Sequence, residues 1–204
     1  MKKVDVFKRE LSKIRDEDYR KAVEGIINQI PAEFFLKPAS STGKYHPPYA
    51  KGKHGLLLHT KCAFWIGYRF MEPGAMFERL SDHERDVALT ALLIHDTMKY
   101  GRDGGKSKGG FTYFEHPTLV KSLVDDYLEG DSPSEKVRKF LADVLNCVES
   151  HMGSWSTNRQ SKIILRVPET QLEKFVHLCD YAAGTPFLFF SNKTLELYLK
   201  EDKK

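Results

Sequence analysis

The stretch that decides the fold is Ala91-Leu92-Leu93-Ile94-His95-Asp96-Thr97-Met98-Lys99-Tyr100, in which an apolar run leads into an imidazole, a carboxylate and an ammonium group. Neighbouring positions on a helix point about 100° apart, and positions three apart share a face. His95 and Asp96 can therefore converge on one point, with Lys99 one turn further along. Burying such groups beside leucine and isoleucine is costly unless each has a partner. A divalent metal ion would satisfy them, provided that other helices contribute further ligands.

Helical periodicity extends in both directions from this stretch. Apolar residues recur at three- and four-residue spacing, and a capping box of Ser81 and Glu84 opens the central helix. The predicted helices cover residues 3–29, about 54–72, from Ser81 to Lys99, from His116-Pro117 to Tyr127, from Ser134 or Pro133 to His151, from Pro168 to Ala183, and about 187–200.

Between these helices lie an irregular segment over 37–53, a Gly-rich basic loop or small hairpin over 101–115, and a polar loop over 153–166. Because almost no stretch shows the alternation of a strand, the sequence predicts an all-α fold. We expect residues 1–204 to form a single compact bundle of about seven helices, with its core at about 45–184.

Composition narrows the class of protein. The chain has 204 residues, of which 41% are hydrophobic, which suits one globular domain. No apolar run approaches the ~18–20 residues of a membrane span, and the charged N-terminus does not resemble a secretion signal, so we expect a soluble, cytoplasmic protein without membrane contact. Cys62, Cys147 and Cys179 lie in apolar helical stretches and are predicted to be buried thiols. The net charge of +4 is compatible with anionic substrates but does not by itself indicate nucleic-acid binding.

Six residues able to bind a metal lie on the apolar faces or at the ends of five predicted helices. Taken alone, each has an ordinary explanation, such as a satisfied core histidine or a carboxylate at a helix end. Together they are better explained by one metal centre, because inward-facing charges without mutual partners would each cost several kcal/mol. The set consists of His59, His95, Asp96, His116, His151 and Asp180.

The chemistry of this set indicates the kind of metal site. Histidine and aspartate without thiolate suit Mn, Fe, Co, Ni, Zn or Mg, and the cysteine-rich geometry of structural zinc does not apply. An open site that activates water is the natural use of such ligands.

In order, His59, His95-Asp96 and Asp180 resemble the H…HD…D signature of the HD-domain metal-dependent phosphohydrolases, an all-helical superfamily. With Lys99 the motif becomes H-D-x-x-K, which is similar to the branch containing cyclic-dinucleotide phosphodiesterases and HD-domain 3′–5′ exoribonucleases. Residues 55–60 (GLLLHT), preceded by Tyr45-His46, look like the GGLLEHT segment of the exoribonuclease group.

Three positions depart from the family pattern: Met98 replaces a glycine, Met152 replaces the second histidine of a frequent pair, and Leu58 replaces a glutamate.

The resemblance implies roles for individual residues. His59, His95, Asp96 and Asp180 would bind one metal ion, and Asp96 would bridge to a second ion held by the two extra histidines of the branch, which match His116 and His151. Asp96 and Lys99 would be the catalytic residues, Lys99 by neutralising charge on the phosphoryl oxygens. The alternative for Lys99 is a salt bridge to Asp96 in a metal-free site.

Other residues are candidates for substrate binding. Arg102, Lys106 and Lys108 follow the central helix in a loop whose glycines let the backbone approach an anion, although a solvated surface turn explains them equally well. Trp155 either stacks on a base or plugs the core, and Arg159 lies in the same polar loop. His54 either contacts a phosphate or is an ordinary residue at the start of a helix.

These features predict a metal-dependent phosphohydrolase that acts on a nucleotide or on a short nucleic-acid end. A phosphodiesterase or 3′–5′ exonuclease and a nucleotidase both remain open, as does a non-catalytic protein that binds metal and nucleotide as a sensor or accessory domain. We expect two divalent ions as cofactors and no stable protein partner, with the oligomeric state open.

Overall fold

The computed structural model describes residues 2–43, 46–159 and 161–185. Within these ranges the chain forms helices and turns and no strand, which confirms the all-α fold. The α-helices are α1 (Lys3–Val6), α2 (Lys8–Leu11), α3 (Glu17–Gln29), α4 (Gly55–Phe70), α5 (Asp82–Ile94), α6 (His116–Leu119), α7 (Lys121–Asp131), α8 (Glu135–Ser150) and α9 (Gln171–Gly184). Short 3₁₀ segments lie at Ala32–Phe35, Pro48–Ala50 and Lys106–Lys108. The predicted helix at about 187–200 lies outside the described residues.

The centre of the bundle is α5, which packs against α4, α8 and α9. Its residues 86–94 are all buried, which is expected for a mostly apolar helix segment enclosed by neighbours. The helix ends at Ile94 rather than at Lys99, and tighter turns follow, with the hydroxyl of Thr97 donating to the carbonyl of Ile94 at 2.7 Å. This end of α5 delivers His95 and Asp96 into the interior.

The single helix predicted over 3–29 is divided into α1, α2 and α3. The backbone N–H groups of Arg15 and Asp16 donate to the carboxylate of Asp86 on α5, each at 2.9 Å, and so leave the helical pattern. The side chain of Asp16 then caps α3 by accepting from the N–H groups of Asp18 and Tyr19. A partner about seventy residues away in sequence therefore breaks the helix, and local periodicity cannot reveal it.

The helix predicted from His116-Pro117 to Tyr127 is also divided, into α6 and α7, and other helix boundaries differ from prediction by a few residues. Helix α9 starts at Gln171 instead of Pro168, because Thr170 and Glu173 form a capping box there. Ser134 caps α8 as predicted. The segment over 101–115 contains a 3₁₀ turn and no hairpin strands in the described chain.

Two predictions from composition concern the cysteines and membrane-spanning helices. Cys62, Cys147 and Cys179 are free and buried, as expected. In the described part of the chain, none of the helices combines the length and the hydropathy that a membrane span requires.

Candidate metal centre

Five helices bring the predicted ligands to one place in the interior. Asp180 comes from α9, and the four histidines lie within or at the ends of α4, α5, α6 and α8. The donor atoms fall into two groups, and within each group they lie within 4.8 Å of one another. The groups are His59, His95, Asp96 and Asp180, and Asp96, His116 and His151.

The first group is arranged around two carboxylates. Oδ1 of Asp180 lies 2.8 Å from Nε2 of His59 and 3.3 Å from Nε2 of His95. Oδ2 of Asp96 lies 3.6 and 3.5 Å from the same two nitrogens. Two imidazole nitrogens and two carboxylate oxygens therefore face a common point.

The second group uses the other oxygen of the same aspartate. Oδ1 of Asp96 lies 2.9 Å from Nε2 of His116 and 3.7 Å from Nε2 of His151, and these two nitrogens are 3.3 Å apart. Asp96 therefore presents one oxygen to each group.

Hydrogen bonds on the outer side of three histidines determine which nitrogen faces inward with a lone pair. Nδ1 lies close to a backbone carbonyl that can only accept, so Nδ1 carries the proton of the neutral ring. The three contacts run from His95 to Leu92 at 2.9 Å, from His116 to Tyr113 at 2.8 Å and from His151 to Val148 at 2.7 Å.

This arrangement leaves inward-facing acceptors without donors. With Nδ1 protonated, Nε2 of His116 and Nε2 of His151 meet as two lone pairs, which is unfavourable unless a cation lies between them. Nε2 of His95 and Oδ1 of Asp96 are buried and have no hydrogen-bond partner in the described chain. The donor set therefore fits a divalent ion, and the outer carbonyls supply the orienting shell that metal-bound histidines ordinarily have.

Electrostatics keeps the carboxylates ionised. Burial alone would raise the pKa of Asp96, but Lys99 and His95 outweigh it and hold that pKa well below its usual value. Burial likewise opposes ionisation of Asp180, whose pKa is nevertheless held low by His95 and His59.

The pKa values of two histidines in the centre shift in opposite directions. Burial lowers the pKa of His116 to about 4. Burial also acts to lower the pKa of His95, yet the charges of Asp96 and Asp180 outweigh it and raise that pKa. The negative potential that draws a proton to His95 is the potential that attracts a metal cation.

Lys99 lies at the open side of the cluster. Its Nζ is 2.6 Å from Oδ2 of Asp96, so the salt bridge considered from the sequence is present. The side chain of Lys99 is 14% exposed and that of Asp180 is 19% exposed, whereas the other ligand side chains are almost completely buried. The cluster is therefore most accessible to solvent at Lys99 and Asp180.

Two of the three candidate cations in the loop after Lys99 are paired with carboxylates. Arg102 lies 2.5 Å from the carboxylate of Asp126 on α7, and Lys108 lies 3.3 Å from that of Glu115. Lys106 is exposed. The structure brings none of these three cations into the ligand groups.

His54 is also outside the ligand groups. It is exposed, adopts a left-handed backbone (φ 66°) before α4, and its Nδ1 lies 2.5 Å from the carbonyl of Phe35. This geometry favours the ordinary explanation, a residue at the start of a helix.

Trp155 is 55% exposed, which argues against a plug over the core. Its ring stacks on Tyr181, with centroids 5.6 Å apart and planes 25° apart. Tyr181 follows the ligand Asp180, and His177 on the same stripe of α9 donates from Nδ1 to the carbonyl of His151 at 2.7 Å. Trp155, His177 and Tyr181 form an aromatic shelf, of which sequence reasoning named Trp155 but missed His177 and Tyr181, although their four-residue spacing beside Asp180 was a usable signal. Arg159 is exposed in the same loop.

The sequence places His46 in the irregular segment over 37–53 and in a motif, without an individual role. Its ring meets that of His59 edge-on, with centroids 5.0 Å apart and planes 77° apart. Burial, reinforced by the neighbouring His59 and Lys99, lowers its pKa to about 3. The neighbouring Tyr45 lies outside the described residues.

The fold and the site together define an all-helical protein with a histidine–aspartate metal-binding centre. The family model of the HD domain matches residues 69–184, more than half of the chain, and the protein belongs to this family. The match includes every predicted ligand except His59, which lies just before it. The family places the protein among the metal-dependent phosphohydrolases that the sequence resembles. No curated protein and no solved structure gives a significant match.

Proposed function

We propose that the protein hydrolyses a phosphate ester of a nucleotide or of a nucleic-acid end, with two divalent ions bound by the His/Asp groups. The observation that carries this proposal is the position of Asp96, whose two carboxylate oxygens face two separate pairs of histidine Nε2 atoms. Such an arrangement suits a pair of ions that share one carboxylate, and a shared carboxylate is of little use to a protein that only senses a single ion.

The proposed mechanism assigns work to the protein's own groups. When bound, the ions would supply Lewis-acid polarisation of the phosphate and a more acidic attacking water. His95, His116 and His151 hold their Nε2 lone pairs inward because a backbone carbonyl accepts from Nδ1 on the outer side of each ring. Lys99, at the open side, places an ammonium group where negative charge grows on the phosphoryl oxygens, and the low-dielectric surroundings strengthen that interaction.

Support for a nucleotide substrate comes from the aromatic shelf. Exposed, stacked rings beside a phosphate-binding centre offer a surface on which a base can stack, and such stacking is tolerant of base identity. We place the base on Trp155 and Tyr181, with Arg159 and Lys106 available for further phosphates. Arg102 and Lys108 would have to leave their carboxylate partners to serve the same purpose.

The test is a substrate panel run with the metal-loaded protein. The full chain is incubated in turn with Mn²⁺, Fe²⁺, Co²⁺, Ni²⁺, Zn²⁺ and Mg²⁺ and supplied with nucleoside mono- and triphosphates, cyclic nucleotides and labelled oligonucleotides. We expect turnover of at least one phosphate ester. The identity of the product then distinguishes phosphodiesterase from nucleotidase activity. Asp96→Asn serves as the inactive control, and absence of turnover by the wild type with every metal would refute the proposal.

A further inference from the structure

One histidine of the centre lacks the outer partner that the others have. The Nδ1 atoms of His95, His116 and His151 each face a backbone carbonyl at a helix end. At helix ends, some backbone groups have no partner within the helix and can bond to side chains. His59 lies within α4, and its Nδ1 is buried without a hydrogen-bond partner in the described chain. A metal-bound histidine almost always donates its second ring N–H to some acceptor.

The neighbouring ring has the same deficiency. Nδ1 of His46 is also buried without a partner among the described residues, and its ring contacts that of His59 at 5.0 Å between centroids. Gly184 lies beside both rings, since a Cβ atom there would be 4.0 Å from Nε2 of His46 and 4.0 Å from Cε1 of His59, which is ordinary van der Waals contact. Two unsatisfied nitrogens thus occur in two rings in contact.

We propose that His46 is the positioning partner of His59 and accepts the Nδ1–H of that ring, directly or through one ordered water. A neutral imidazole has one donor and one acceptor nitrogen, so His46 can accept at Nδ1 and still donate from Nε2. The contact holds His59 in the tautomer whose Nε2 lone pair faces Asp180 and the first metal position. His46 acts through His59, since its own nitrogens are not in the group of donor atoms within 4.8 Å of one another.

This inference rests on the metal-binding part of the proposed function, and the experiment is therefore a measurement of metal affinity without turnover. Apo protein is titrated with Zn²⁺ and with Mn²⁺ against a competing chelator. We expect His46→Leu to bind the first ion about 10- to 100-fold more weakly than wild type, the range usual for loss of an outer-shell partner. His46→Asn places an amide oxygen near the position of Nδ1 and should restore part of the affinity.

The matched control is His83→Ala, at the start of α5. Its position is twelve residues from His95, or about 18 Å along the helix, and its side chain contacts Tyr19 and Asp143 instead. Thermal unfolding in EDTA checks that each variant folds, and ¹⁵N spectra of the ring nitrogens report whether Nδ1 of His59 carries the proton.

The outcomes separate the two proposals. If wild type binds neither ion, the proposed function fails. If wild type binds the ions and His46→Leu binds them equally well, with an unchanged tautomer of His59, the positioning role of His46 is refuted while the proposed function stands.

Discussion

Asp96 is a fully buried carboxylate that stays ionised because Lys99 and His95 offset the cost of burial. Both of its oxygens face histidine nitrogens, so a neutral amide of the same shape would remove the shared ligand with little change in packing. We expect Asp96→Asn to lose both ions and to lower kcat by at least about 10³-fold. Elemental analysis and steady-state kinetics measure these effects, and a variant that keeps two ions per chain would contradict the shared-ligand assignment.

Lys99 is tested by removing its charge while keeping its length. Lys99→Met should lower kcat about 10²- to 10³-fold, as is typical when a charged group that stabilises the transition state is lost. The metal content should stay unchanged, because an ammonium group is not a ligand. Lys121→Met, which removes an exposed lysine paired with Asp125 on α7, is the control. Unaltered kcat in Lys99→Met would leave Lys99 with only its salt bridge to Asp96.

At this scale the sequence predicted the clustering of the His and Asp side chains, whereas it could not predict the partners of the cations in the loop after Lys99. The order and helical placement of His59, His95-Asp96 and Asp180 sufficed for the cluster, because each residue lies within a helix or at its end and the apolar stripe determines its direction. Arg102 and Lys108 could not be assigned in the same way, since their long side chains lie in a loop. Their partners, Asp126 and Glu115, become neighbours only in the folded chain.

At the scale of elements, Gly55 determines how closely the segment that carries His46 approaches α4. A Cβ atom there would lie 2.2 Å from the carbonyl oxygen of Ala50, a backbone atom that cannot turn aside. We expect Gly55→Ala to destabilise the protein by about 2 kcal/mol or more, since overpacking against backbone forces the segments apart. It should also weaken metal binding, because His46 moves away from His59.

Gly52→Ala is the matched control for this substitution. Gly52 lies in the same segment, and a Cβ atom added at this position would have no neighbour within 4 Å. Urea unfolding should show little change for Gly52→Ala, or a slight gain from the reduced entropy of the unfolded chain. Equal stability of the two variants would mean that the Gly55 contact does not constrain the fold.

Elements were predictable where local signals decide and not where distant contacts decide. The capping box of Ser81 and Glu84 and the cap at Ser134 appear as predicted, because each involves residues three apart. The division of the N-terminal helix depends on Asp86, whose carboxylate accepts hydrogen bonds from the backbone N–H groups of Arg15 and Asp16, about seventy residues earlier in the chain. The role inferred for His46 likewise needs the tertiary contact with His59.

At the scale of the whole molecule, the centre couples stability to pH. The pKa of His116 is lowered to about 4 and that of His46 to about 3, mainly by burial, whereas an unfolded histidine titrates near 6.5. Between pH 6.5 and pH 4 the unfolded chain therefore binds protons that the folded chain refuses, and stability falls as the pH falls. His95 acts in the opposite direction because its pKa is raised, but it is one group against two.

We therefore expect the free energy of unfolding of the metal-free protein to be level above pH 6.5 and to decrease by a few kcal/mol towards pH 4. Urea titrations in EDTA at pH 7.5, 6.5, 5.5 and 4.5 measure it, and His46→Asn should flatten part of the decrease. With Zn²⁺ or Mn²⁺ present the stability should be higher at pH 7.5 and fall more steeply, because protons compete with the ion for the same Nε2 lone pairs. Stability that rises on acidification, with or without metal, would show that His95 dominates and that the buried histidines are held as cations.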